Sequence, residues 1–157
     1  MRKDQVLDLI GLAARLILGI VLIVAGAAKV PNPELSRRAV QAYEILPYDL
    51  AGLVGVVLPY VEVLVGALLV IGLFTRFAAI VSTVLMVAFV IGISQAWARG
   101  LQIDCGCFGG GGALAVGEEP SYVADLLRDA GLVVLGAWLI WRPRSLASLD
   151  RRLFGGA

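Results

Sequence analysis

The chain has 157 residues, 60% of them hydrophobic and only 16% charged, with a mean hydropathy of +0.92. Soluble domains carry about 25% charged residues, so this balance points to a membrane protein, and a formal net charge of +1 leaves no electrostatic footprint for nucleic acid. Histidine is absent, which removes the commonest general base and the commonest metal ligand and leaves thiols, carboxylates, arginine, lysine and tyrosine for any chemistry.

Four apolar segments are long enough to cross a bilayer core of roughly 30 Å, which takes about 20 helical residues. They are expected at about 9–29, 50–74, 77–97 and 122–141. The first opens on Arg2 and Lys3 and contains Ala25-Gly26-Ala27, as a cleavable signal would. Arg15 interrupts its apolar run, however, and it reads as a retained span. Along it Asp8, Arg15, Leu22 and Lys29 recur every seven residues, with Gly19 and Gly26 on the same stripe. Small residues allow close helix approach, so this face is expected to point inward.

The second segment carries Glu62 near its middle and Pro59 one turn earlier. A proline there frees a backbone carbonyl and can kink the helix. At about 1.5 Å of rise per residue, Arg15 and Glu62 differ in depth by about 6 Å, and the two are expected to pair. Arg15, Lys29, Pro59 and Glu62 form a buried polar set, either structural or facing a quinone or a proton. The third segment ends at Trp97, and residues 98–121 form a loop. The fourth begins with Asp125, Arg128 and Asp129; Asp125 and Arg128, one turn apart, can pair locally.

Orientation follows from lysine and arginine counts in short loops. Arg2, Lys3, Arg76, Arg142, Arg144, Arg151 and Arg152 fall on one side. On the other, Lys29, Arg37, Arg38 and Arg99 are offset by Glu34, Glu44, Asp49, Asp104, Glu118 and Glu119. The expected fold is all-α, a four-helix transmembrane bundle with both termini cytoplasmic, forming one integral membrane domain over 1–157. The expected location is the bacterial cytoplasmic membrane, with loop 98–121 on the extracytoplasmic side.

That loop reads DCGCFGGGG at 104–112 and holds both cysteines of the chain, Cys105 and Cys107. Disulfides persist on the oxidising side of a membrane. A bridge needs Cα atoms about 4.4–6.8 Å apart, and Gly106 lets the chain bend enough. Such a bridge closes almost no loop, so it adds little stability, and a small strained ring is labile. This favours a reversible redox pair, with neither cysteine assignable as the nucleophile. Asp104 raises a neighbouring thiol pKa; Arg99 or Arg128 opposes it. Two other readings stand beside this one: two thiolates clasping Cu(I), or small residues in a glycine loop. A closed zinc site lacks ligands. With a single pair, electrons must pass to a membrane cofactor such as a quinone, or to another protein's thiols. Phe108 and the glycines read as an apolar anchor and a hinge.

The segment Ile103-Asp104-Cys105-Gly106-Cys107-Phe108-Gly109 resembles the signature of the DoxX/MauE family of small four-helix membrane proteins. Arg128-Asp129 matches the pair expected downstream. Arg15 with LILGIVLIVAGAAKV, then Pro59, Glu62 and Gly66 with LLVIGLFTRFAA, are similar to the family's first three helices. The resemblance runs roughly from Leu12 to Trp141. It implies a redox-associated membrane protein. MauE-type proteins are linked to maturation of methylamine dehydrogenase beside thioredoxin-like partners, and DoxX-like ones to thiosulfate–quinone chemistry. The run Gly109 to Gly112 departs from the pattern, where more varied polar residues are expected, and reads as a looser loop. The expected function is thiol–disulfide exchange through Cys105 and Cys107, supported by Arg128, Asp129, Asp125, Asp104, Gly106 and Phe108. A thioredoxin-fold protein or a secreted cysteine-containing substrate is the expected partner and a quinone the candidate cofactor. A non-catalytic assembly subunit is the alternative, and a Cu(I)-binding protein the third reading.

Overall fold

The structure, a computed structural model, describes residues 2–155; residues 1, 156 and 157 of the expected domain lie outside it. Its regular elements are helices: α1 (Lys3–Lys29), α2 (Pro33–Ala42), α3 (Tyr48–Ile71), α4 (Thr75–Ala98), α5 (Tyr122–Trp141) and α6 (Leu149–Leu153). Three of them, α1, α3 and α4, are long and apolar enough to cross a membrane. The 20-residue α5 has the length, but Asp125, Arg128 and Asp129 fall in its first half.

α1 packs along α3, and α4 along α5; contacts of α1 with α5 and of α3 with α4 join the two pairs. The glycine stripe of α1 sets its approach to α3, as expected. A Cβ on Gly19 would lie 2.9 Å from the Gly66 carbonyl oxygen, and one on Gly26 would lie 2.6 Å from that of Pro59. The core between the helices is built from Leu18, Leu22, Val65, Leu69, Met86, Leu132 and Leu139. Large apolar side chains such as Ile20, Leu53, Leu64, Phe77, Val84 and Val134 stay exposed on the outward faces, as suits contact with lipid.

The segment between the first two spans, read as loop, contains α2. Its start is written in Asn32-Pro33: proline sits at the first helical turn, where its missing N–H costs nothing, and Glu34 follows. α2 docks through the proline of α3. Pro59 has no N–H for the carbonyl of Gly55, four residues back. The Ser36 hydroxyl of α2 donates to that carbonyl instead. Gly55 makes room, since a Cβ there would lie 2.6 Å from Arg37 Cα.

At the opposite end of the molecule, residues 142–153 fold back across the helix ends. Arg15 donates to Ser145 Oγ at 2.8 Å and to the Ala147 carbonyl at 3.3 Å. Asp150 accepts from the Phe74 and Thr75 amides at 2.7 and 2.8 Å, capping α4. Arg142 pairs with Asp8 at 3.2 Å, which brings the start of α1 to the end of α5.

Candidate functional site

The cysteine loop is pinned at its base. Ile103 and Ala113 form a single antiparallel bridge, and the Asp104 amide donates to the Gly112 carbonyl at 3.3 Å. The Tyr122 hydroxyl donates to the Leu101 carbonyl and accepts from the Ile103 amide. Tyr43, at the end of α2, donates to the Cys105 carbonyl at 2.8 Å. Burial holds the Tyr43 hydroxyl far above its ordinary pKa, reinforced by the charge the two thiols would carry and then by Asp125 and Asp104, so it stays a donor.

Gly106 takes φ +67°, and a Cβ on it would lie 2.6 Å from that of Ala39, so the residue between the cysteines must be glycine. The glycine run does not form the expected loose hinge. Gly109 lies against Ala28, Gly111 against Leu35, and Gly112 against Ala39 and Ala42. Side chains would separate the loop from α1 and α2; their absence seats it there. Phe108 is 44% exposed rather than anchored in apolar surroundings.

Both cysteines are free thiols, and they differ. Cys105 is partly exposed and its Sγ accepts the Cys107 amide at 3.2 Å. Hydrogen bonding from the Cys107 thiol holds Cys105 below the ordinary thiol pKa despite its burial, with help from the Cys107 amide and Arg128. Cys107 is 6% exposed. The bond it gives to Cys105, together with burial and the charges of Cys105 and Asp129, pushes its thiol far up.

Arg128 links the loop to α5. Its guanidinium pairs with Asp125 at 3.1 Å and Asp129 at 2.9 Å, and lies 5.0 Å from the centre of the Phe108 ring. Here the local pairing expected from the sequence is present. Asp104 lies at the loop's rim, its carboxylate against Gly110.

The expected Arg15–Glu62 pair does not form. Lys29 holds Glu62, with Nζ 2.8 and 2.9 Å from the two carboxylate oxygens, both residues buried. The reason lies in side-chain direction. Helical side chains lean toward the helix N-terminus. Gly26 of α1 sits level with Pro59 and Glu62 of antiparallel α3. Lys29 therefore leans down toward Glu62, and Glu62 leans toward Lys29. Arg15, nearer the N-terminus of α1 than that level, leans the same way and so away from Glu62, to Ser145. The carbonyl that Pro59 leaves free, that of Gly55, is taken by Ser36 of α2.

Glu62, Cys107, Arg128 and Asp129 share a narrow cavity with Phe108, Phe89 and Met86. At about 10 Å³ it has room for one water and far too little for a quinone ring. Asp129 Oδ2, buried at its edge, has no hydrogen-bond partner among the described residues. No group of three or more cysteine and carboxylate side chains placed to hold a metal ion is found among the described residues.

Sequence reasoning missed Tyr43, Ser36, Ala39 and Tyr122. A signal for α2 was available in the Asn32-Pro33 start and in Ser36 and Ala39, three apart and both buried. Nothing local marked Tyr43 as a partner of Cys105, 62 residues away.

The family model described as methylamine utilisation protein MauE matches residues 7–142. The chain belongs to that family, and with its three membrane-length apolar helices it is an integral membrane protein. No curated protein and no solved structure matches it significantly.

Proposed function

We propose that this MauE-family membrane protein carries out thiol–disulfide exchange, with Cys105 as the attacking sulfur and Cys107 as the resolving one. The asymmetry of the pair carries the reading: Cys105 is accessible and held low, Cys107 is buried and held high. The Cys105 thiolate attacks a partner's disulfide, forming a mixed disulfide and expelling one partner thiolate. Cys107 then attacks Cys105 Sγ, closing the intrachain bridge and expelling the second. The pair loses two electrons to the partner's disulfide, whose two sulfurs leave as thiolates, and the one proton released is that of Cys107. The reverse sequence reduces the pair. Half-exposed Phe108, beside the sulfurs, offers an apolar contact to a thioredoxin-fold partner or to a secreted cysteine-containing substrate. A quinone is the proposed alternative electron acceptor, reached at the lipid-facing surface.

In the same reading four helices span the cytoplasmic membrane, α5 being the fourth. Asp125 and Asp129 are buried against the other helices, so lipid does not have to solvate them. The start of α1 and the end of α5 meet at one end of the molecule, which fits an even number of crossings. That end holds Arg76, Arg142, Arg144, Arg151 and Arg152, which favours the cytoplasm there and an extracytoplasmic cysteine loop.

The test is trapping with a thioredoxin-fold protein whose own resolving cysteine has been removed. Cys107→Ser should accumulate a mixed disulfide through Cys105, while Cys105→Ser should give none. Equal yields from both variants would sink the assignment, and no adduct from either would sink the exchange reading.

A further inference from the structure

Of the charged side chains behind the sulfurs, Lys29, Glu62, Asp125 and Asp129 are buried and Arg128 is partly exposed. Their hydrogen bonds leave one buried carboxylate oxygen over. Both Glu62 oxygens are taken by Lys29, and Oδ1 of both Asp125 and Asp129 is taken by Arg128. Asp129 Oδ2 is buried and unpartnered among the described residues, and its residue lines the same water-sized cavity as Cys107.

We infer that Asp129 is the proton shuttle of Cys107, exchanging the thiol proton with Oδ2 through one water in this cavity. The inference rests on the exchange reading above. As Cys107 attacks the mixed disulfide, its proton passes by way of the water to the Asp129 carboxylate. The S–S bond to Cys105 forms as the partner thiolate leaves. In the reductive direction the Asp129 carboxyl returns the proton as Cys107 departs. Cys107 needs such a group because it is buried, whereas Cys105 is partly exposed to solvent. Cys105 and Asp104 of the loop, Tyr43, Lys29 of α1, Glu62 of α3, and Asp125 and Arg128 of α5 complete the charged and titratable surroundings. α4 adds only Met86 and Phe89 to the cavity.

The test follows release of nitrothiobenzoate from the chromogenic disulfide dithiobis-nitrobenzoate by the reduced full-length protein. The first equivalent reports attack by Cys105 and the second reports resolution by Cys107. Asp129→Asn should slow the second phase by about a hundredfold, the range of a lost general base, and leave the first unchanged. Asp129→Glu should restore much of it. In the wild type the second phase should rise with pH by much less than the roughly tenfold per unit that direct loss of a thiol proton to solvent gives. That profile decides the matter even if Asp129→Asn does not fold. An unchanged second phase in Asp129→Asn, or a full tenfold rise per unit in the wild type, overturns the shuttle and leaves exchange standing. Two labelled cysteines with no intrachain disulfide in the wild type overturn the exchange reading itself.

Discussion

Lys29 of α1 and Glu62 of α3 form a two-pronged ion pair, with Nζ 2.8 and 2.9 Å from the carboxylate oxygens and neither residue more than 4% exposed. Removing one partner of a buried pair strands the other charge, at a cost of about 3–5 kcal/mol. Replacing both by apolar groups of similar volume is often close to neutral. Glu62→Gln and Lys29→Met should each lower the unfolding midpoint in detergent sharply, and Lys29→Met with Glu62→Met should recover most of the loss. Additive losses in the double variant would contradict the pairing.

The two thiols should separate by pH. A lowered pKa keeps Cys105 as thiolate at pH values where an ordinary thiol is protonated; a raised pKa keeps Cys107 protonated where an ordinary thiol has ionised. Each unit of pKa is about tenfold in thiolate below the midpoint, so Cys105 should alkylate at least tenfold faster than Cys107 at neutral pH. In Cys107→Ala the first cause holding Cys105 low is gone, and its alkylation profile should move to higher pH. Peptide mass spectrometry after timed iodoacetamide exposure reads both.

Arg128 meets two carboxylates and the Phe108 face with one planar group, which an ammonium cannot do. Arg128→Lys should keep the fold and slow Cys105 alkylation at neutral pH by roughly severalfold, since Arg128 helps hold that thiolate. An unchanged rate would detach Arg128 from the pair.

Ser36 and Pro59 should couple thermodynamically. Ser36→Ala leaves the Gly55 carbonyl without its donor, at a cost of about 1–3 kcal/mol. Pro59→Ala restores a helical N–H for that carbonyl, so Ser36→Ala should cost clearly less in that background. Equal costs in both backgrounds, measured by chemical unfolding, would show that the proline is not the reason for the serine.

The long helices were legible because each is a run of apolar residues longer than a soluble helix needs; the expected 122–141 matches α5 to the residue. Local charge pairing in α5 was legible because Asp125 and Arg128 are three apart. The partner of Glu62 was not. Rise per residue gives depth but not side-chain lean: both side chains lean toward the α1 N-terminus, which carries Lys29 to Glu62 and Arg15 away from it. The glycine run misled because glycine was taken as freedom, whereas from Gly109 to Gly112 it serves closeness to α1 and α2. The fold-back of residues 142–153 onto Arg15 was hidden too, because Ser145 and Asp150 carry no periodicity of their own.

Chain order gives the cysteine loop a history. Its seat, Ala39 and Tyr43, is made early in synthesis, and the thiols follow some 60 residues later. Arg128 and Asp129 come last, after the loop itself has been made. Until α5 has joined its neighbours, the sulfurs have a platform but neither their cation nor their carboxylate. Under the proposed exchange, a half-built chain therefore holds its thiols without the Arg128 contact that helps keep Cys105 ionised.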